Sequence, residues 1–330
     1  MTVKGGVPLT VAIEGWGSGR LARVVTDKAE ANGWAWSCLL GENPAVNVQR
    51  LETTDGFIVW DIDTATRSSG IVRLAPKVLQ DGAALLARTV TYTYASFGIA
   101  DAAGASAAVN AKPDDHDTAV AAFVAEVAPL AESGRLRLAP GLGVGAGDLA
   151  PLAGHGWVDP DAALLAAGAV AAAKVGGPLD WRTAAVVGSG PVAEAAATAL
   201  READATVVDA RFDADCDVLF VTGKAGVLDH ATADGVRAKL VVPLSPVPVT
   251  ARALAVLGKV GTVVVPDFLS TAAPLLAADD PDGGDPVQRV RDAVIAHADQ
   301  GTGLWLAAAL KAEEFLATWT SEKPFGRPLA

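Results

Sequence analysis

Positive charge is scarce in this chain: 26 Lys and Arg stand against 38 Asp and Glu, a formal net charge of −12. Nucleic-acid binding needs a basic stripe that displaces counterions from phosphates, and the sequence has none, which excludes that partner class. The acidity reads as a solubility device. Cysteine is nearly absent as well. Cys38 and Cys216 lie far apart, outside any CxxC or Cys/His cluster, and read as small buried hydrophobes. His116, His155, His230 and His297 show no metal-ligand spacing, so no metal is expected. The start, MTVKGGVPLTVAIEGW, lacks a positive segment followed by a long apolar one and does not read as a signal peptide. The longest apolar tract, 162–175, is too short and too rich in Ala and Gly to span a bilayer. No membrane partner and a cytoplasmic location are expected. Aromatics make up only 5% of the residues against 51% hydrophobic, so the cores must be built mostly from Ala, Val and Leu.

What is present is enough chain for two domains: 330 residues. Segments 7–15, 56–64 and 68–74 are rich in β-formers and predict strands. Apolar spacing of three and four predicts a helix over 78–97. A strand ending at Asn110 follows, then a turn at Lys112-Pro113-Asp114 and a helix over 114–132. Asp114 or Asp115 is expected to cap that helix, with Ala119, Phe123, Val127 and Leu130 on one face. RLRLAP (135–140) reads as a short strand and LGVGAGDLAPL as a glycine-rich loop. Asp159-Pro160-Asp161 opens an alanine-rich helix, 161–174, closed by Gly176-Gly177. Beyond it the pattern becomes strand–helix–strand, the mark of a parallel sheet. The domain boundary is placed at 150/151. A loop over 279–286 precedes a last helix, roughly 301–319, which either packs back on the first domain or carries oligomer contacts.

The segment TAAVV (183–187) reads as a buried strand. It runs into Gly188-Ser189-Gly190-Pro191-Val192-Ala193 and then a helix. This is G-x-G-x-x-A between a strand and a helix, the context a dinucleotide fingerprint requires. The next strand ends at Asp209, 21 residues after Gly188, where an acid meets the adenine ribose. Gly188 permits the tight turn, Gly190 lets backbone approach a pyrophosphate, and the helix start offers free N–H groups. Asp209 repels a 2′-phosphate and so favours NAD over NADP, an effect that Arg211 can soften. The predicted architecture is α/β in two domains: an N-terminal mixed-sheet α/β domain (1–150) and a C-terminal Rossmann, doubly wound domain (151–300). The alternative is a Rossmann unit that keeps its glycines for packing and binds no nucleotide.

Three stretches make a family resemblance specific: CDVLFV from Cys216, the run from Leu240 through VPDFLSTA, and RLRLAPGLGVGAGDLAPL. In their places along the chain they resemble the glutamate/leucine/phenylalanine/valine dehydrogenase family, from about Gly56 to the end. The resemblance implies an N-terminal substrate and oligomerisation domain, an NAD(P) domain, and an active site between them that reversibly deaminates an L-amino acid. It also implies one lysine for the substrate carboxylate, a second that activates water and an aspartate that handles protons. At the matching positions stand Thr93, Ser106 and Gly141. On the nicotinamide side, asparagines are matched by Pro246 and Thr271, and a glycine pair by Ala273-Pro274.

A Ser and a Gly supply neither a tuned base nor a cation, so ordinary oxidative deamination is not expected. Other groups are candidates for a rebuilt site. Arg73 can bind a carboxylate or form an exposed ion pair. Ser106 can bond a substrate or cap its own loop. Asp148 and Asp267 can act as bases, or cap a helix and fix a loop at the domain junction, respectively. Tyr92 and Tyr94 sit near the expected cleft and serve as proton donors or as packing. His116 and His155 are expected at the surface. Three functions follow. The first is an oxidoreductase using NAD on a small imine, keto or enamine substrate. The second is a pseudoenzyme, a homo-oligomer or a partner of an active paralogue. The third is a non-redox enzyme reusing the cleft.

Overall fold

The computed structural model describes residues 47–154, 161–177, 179, 182–298, 303–322 and 326–330. The strand expected at 7–15, Cys38, His155 and Asp159-Pro160 lie outside the described residues. All described elements belong to one compact unit, Asn47–Ala330.

The first sheet is mixed. Strands β1 (Asn47–Arg50), β2 (Gly56–Trp60), β3 (Arg67–Ala75), β4 (Ala102–Asn110) and β5 (Leu136–Pro140) lie in the order β1-β2-β4-β3-β5. β2 runs antiparallel to β1 and β4, while β3 is parallel to both β4 and β5. Helix α1 (Gln80–Ser96) crosses from β3 to β4, and α2 (His116–Glu132) crosses from β4 back past β3 to β5. Two right-handed crossovers in opposite directions put the two helices on opposite faces. Val120, Phe123, Val124 and Val127 of α2 pack with Val72, Leu74, Leu136 and Leu138, so alternate residues Ser69, Ile71 and Arg73 turn to the α1 face. β4 is almost entirely Ala, Gly and Ser, and this lets α1 lie directly on it. A Cβ on Gly104 would collide with the backbone carbonyl of Ala87.

The second sheet is parallel, in the order β10-β9-β8-β6-β7. Its strands are β6 (Thr183–Val187), β7 (Thr206–Val207), β8 (Val218–Val221), β9 (Leu240–Pro243) and β10 (Val263–Val264). Around them stand α3 (Ala162–Ala173), α4 (Pro191–Glu202), α5 (His230–Ala233), α6 (Ala251–Lys259), α7 (Asp267–Ser270), α8 (Ala273–Asp279), α9 (Pro286–Ala298) and α10 (Leu304–Leu316). The strand order reverses between β6 and β8, the place where open α/β sheets receive ligands. The protein is thus a mixed α/β chain with one mixed and one parallel sheet. Buried Cys216 lies in the core beside β8, packed as a hydrophobe.

Several sequence expectations need correction. Neither Asp114 nor Asp115 caps α2; a 3-10 turn, Pro113–Asp115, enters the helix instead. By contrast Asp161 does cap α3, accepting the Leu164 N–H at 2.9 Å. The strand expected to reach Asp209 stops at Val207, because only Thr206 and Val207 pair with β6. The region expected as a loop over 279–286 is largely structured, with α8, a 3-10 turn and the start of α9 meeting there. The last helix is α10, which packs against α1 through Tyr92 and Glu313. Among the described residues no helix is long and apolar enough to cross a membrane.

Candidate nucleotide turn and the face between the sheets

The fingerprint turn leaves the carboxyl end of β6 at the switch point. Gly188 has φ +121°, and a side chain there would strike the backbone of Thr222 at the end of β8, so this glycine is demanded by the neighbouring strand. Gly190 differs. Its φ is +94°, and a Cβ built on it meets nothing within 4 Å. It is the N-cap of α4, makes no side-chain cap bond, and is followed by Pro191 at the first helical position. The opening N–H groups of α4, those of Val192 and Ala193, have no intrahelical acceptor; Val192 is half-buried and Ala193 anchors the helix in the core. Ser189 is exposed. Asp209 is exposed two residues beyond β7, and its carboxylate accepts no hydrogen bond among the described residues. Arg211 is committed to Asp213 through two bonds of 2.9 Å, which hold the guanidinium more basic than usual and the Asp213 carboxyl more acidic. A cradle open at Gly190, an uncapped helix start and a free acid past β7 fit a dinucleotide.

Helix α1 carries its polar side chains inward. Arg88 bonds Asp61 at 2.8 Å with both side chains almost wholly buried, and burial raises the Asp61 carboxyl despite the arginine. Thr89 donates to Asp267 at 3.2 Å. Asp267 also accepts the Val247 N–H at 2.8 Å, and burial pushes its carboxyl up to about 6. Val247 holds φ +53°, a strained conformation for a β-branched residue. The Thr93 hydroxyl bonds the carbonyls of Thr89 and Phe268, both at 3.0 Å. Tyr92 donates to Glu313 at 3.0 Å, which Arg327 also holds, and Tyr94 donates to Ser69 at 2.7 Å. Burial raises both phenols far above their usual range. The chain's two tyrosines are therefore buried links rather than cleft-lining acids. Tyr92, Phe268 and Trp305 meet in series, tilted and then edge-to-face, with ring centroids 5.5 and 5.7 Å apart, a concentration of the scarce aromatics where α1, α7 and α10 meet.

The register brings Ser106 and Gly141 together beside β3, since Ile71 faces Ser106 on one side and Ala139 on the other. Ser106 is buried and donates to the Ile71 carbonyl at 3.3 Å. A Cβ at Gly141 would lie 2.6 Å from the Val72 carbonyl, so this backbone is shaped for glycine. Arg73 stands next to it. The expected alternative of an exposed ion pair does not hold: Arg73 is half-buried, its Nε is buried without a partner, and desolvation alone lowers its basicity. Asp148 accepts the Gly145 N–H at 2.7 Å, closing a turn ahead of the 3-10 helix Gly147–Leu152 rather than capping it. His116 is half-buried over the same loop. Its bond to Asp117 and its 3.0 Å contact with the Gly143 carbonyl raise its pKa. Arg67 and Arg137 both grip the buried Asp279 at the end of α8.

No family model matches the chain, and no curated protein matches it. Solved structures do. An L-tryptophan dehydrogenase from Nostoc punctiforme is 20% identical, with TM-score 0.65 over 82% of this chain and 95% of its own. A hetero-hexameric glutamate dehydrogenase from Thermus thermophilus, in a Leu-bound form, is 22% identical, with TM-score 0.68 over 84% and 88%. A glutamate dehydrogenase from Plasmodium falciparum is 15% identical, with TM-score 0.68 over 84% of each chain. The chain has the amino-acid dehydrogenase fold. Within that fold, Thr89, Arg88, Glu313 and Asp279 are junction residues that sequence reasoning missed. The available signal was a helix, ALLARTVTYTYAS, with polar side chains on every face and no solvent side.

Proposed function

We propose that this chain is a dinucleotide-binding oxidoreductase acting on a small imine, keto or amino-acid-derived substrate. Residues 151–300 serve as the nucleotide domain and 1–150 as the substrate and oligomerisation domain. Within 301–330, helix α10 packs back toward the latter through Glu313 and Tyr92. Gly190 carries the reading: a left-handed backbone with empty space where a side chain would stand, at the uncapped start of a 12-residue helix. A pyrophosphate fills that space and takes the free N–H groups. Asp209 accepts ribose hydroxyls and favours NAD, and Arg211 is paired with Asp213 rather than with Asp209. When bound, the nicotinamide supplies hydride transfer.

The substrate side is read from what is left free. Arg73, half-buried and without a carboxylate partner among the described residues, holds the substrate's carboxylate. Neither Asp267, buried and bonded to the Val247 N–H and the Thr89 hydroxyl, nor Asp148, bonded to the Gly145 N–H, is assigned as the base. With hydroxyls at 93 and 106 and glycine at 141, no lysine or aspartate stands where deamination chemistry is expected. The same observation favours a second reading, a pseudoenzyme partnered with an active paralogue. Hetero-oligomeric assembly has a precedent in the hetero-hexameric Thermus thermophilus structure. Titration with NADH and NADPH, followed by tryptophan fluorescence or calorimetry, separates the two. Saturable micromolar binding with NADH preferred supports the oxidoreductase. No binding at millimolar cofactor overturns it.

A further inference from the structure

We propose that Lys224, on the loop leaving β8, is the cation that neutralises the pyrophosphate of the bound dinucleotide; this rests on the nucleotide reading above. The loop stands across the switch point from the fingerprint turn and touches it. The Thr222 N–H donates to the Val187 carbonyl at 2.9 Å, and the Thr222 backbone occupies the space a side chain on Gly188 would need. The base of Lys224 is fixed on both sides. The Ser245 hydroxyl takes the Gly223 N–H and gives to the Gly223 carbonyl, both at 3.1 Å. On the other side the Gly226 N–H bonds the Val247 carbonyl at 2.9 Å, and the Val227 N–H closes on the Lys224 carbonyl at 3.1 Å. The side chain is exposed and pairs with no carboxylate among the described residues, whereas Arg211 across the sheet is spent on Asp213.

Charge balance gives this free lysine a task. A pyrophosphate brings two negative charges to a protein whose net charge is already −12. The start of α4 offsets them with only about half a unit of positive charge. A lysine on a pinned loop supplies a full point charge, the usual way lysine recognises phosphate.

The test measures adenosine, ADP-ribose and NADH binding to the full chain and to K224M and K224R, at low and high salt. Adenosine carries the base and ribose but no phosphate. The expected result is that K224M weakens ADP-ribose and NADH about tenfold, with a shallower salt dependence, leaves adenosine unchanged, and is rescued by K224R. If the unmodified chain binds neither ADP-ribose nor NADH, the nucleotide reading itself fails. If it binds both and K224M binds them equally well, or loses adenosine to the same extent, Lys224 is not the pyrophosphate cation and the nucleotide reading stands.

Discussion

The two sheets treat their polar groups differently. At the carboxyl edge of the parallel sheet, the turn after β6 is open: a side chain on Gly190 would meet nothing, α4 has no cap, and the side chains of Asp209 and Lys224 make no hydrogen bond or salt bridge among the described residues. On the α1 face of the mixed sheet nearly every polar group is spent. Thr89, Thr91, Thr93, Tyr92, Tyr94 and Ser106 are all bonded within the protein; among the described residues near this face, Arg73 Nε, Asp61 Oδ2 and Ser96 Oγ are buried without a hydrogen-bond partner. Polar groups held in reserve are what a binding site needs, because satisfying them with protein removes both their chemistry and the desolvation cost of leaving them free. The contrast is the ground on which nucleotide recognition is proposed at the second sheet. On the proposed substrate side it leaves Arg73 as the candidate group.

The contrast can be broken hardest at Arg88. In R88M the Asp61 carboxylate stays buried without its partner, and the folded state should lose about 3–5 kcal/mol in urea unfolding at pH 7. A wild-type-like midpoint would mean that α1 is not locked by this pair.

T93K places a lysine where the family resemblance expects one. The position is 4% exposed and its hydroxyl already bonds the Phe268 carbonyl. The variant is expected to lose about 3 kcal/mol through overpacking and desolvation and to gain no amino-acid deamination. A gain of NAD-linked deamination at unchanged stability would show that the junction is a latent site.

Asp267 gives a pH signature. Its carboxyl rises from 3.8 to about 6, so between these values the folded state holds a proton the unfolded chain has released. The contribution is therefore full below about pH 4 and is lost as pH rises through about 6. Relative to D267N, the unfolding free energy of the unmodified protein should fall by about 2–3 kcal/mol between pH 4 and pH 7. A flat difference would place that carboxyl outside the junction.

The smallest effect is expected at Asp209. D209A should narrow the preference for NADH over NADPH by about tenfold, roughly 1.4 kcal/mol, read from the ratio of the two dissociation constants. An unchanged ratio would take Asp209 off the ribose.

Much of the framework was legible in local pattern. The strand at 183–187, the fingerprint, the Asp161 cap and the mixed-then-parallel division follow from periodicity, glycine placement and capping chemistry, which act over a few residues. Strand ends were less legible. β7 closes at Val207 although the β-forming residues continue, because pairing with β6 ends there. The roles of the candidate residues were the least legible. Arg73 and Arg88 are alike in sequence, yet one pairs with no carboxylate among the described residues and the other lies against Asp61, a residue 27 positions away. Asp148 and Asp267 both follow a loop, yet one closes a local turn and the other holds a strained Val247 against α1.

The sequence by itself determined the glycine turn after β6, because a glycine's left-handed backbone and a helix start are local properties of six consecutive residues. Only the tertiary structure decided that α1 turns its hydroxyls and its arginine inward. Whether a polar side chain is free or spent depends on partners brought from β2, α7 and α10, and burial makes those bonds obligatory.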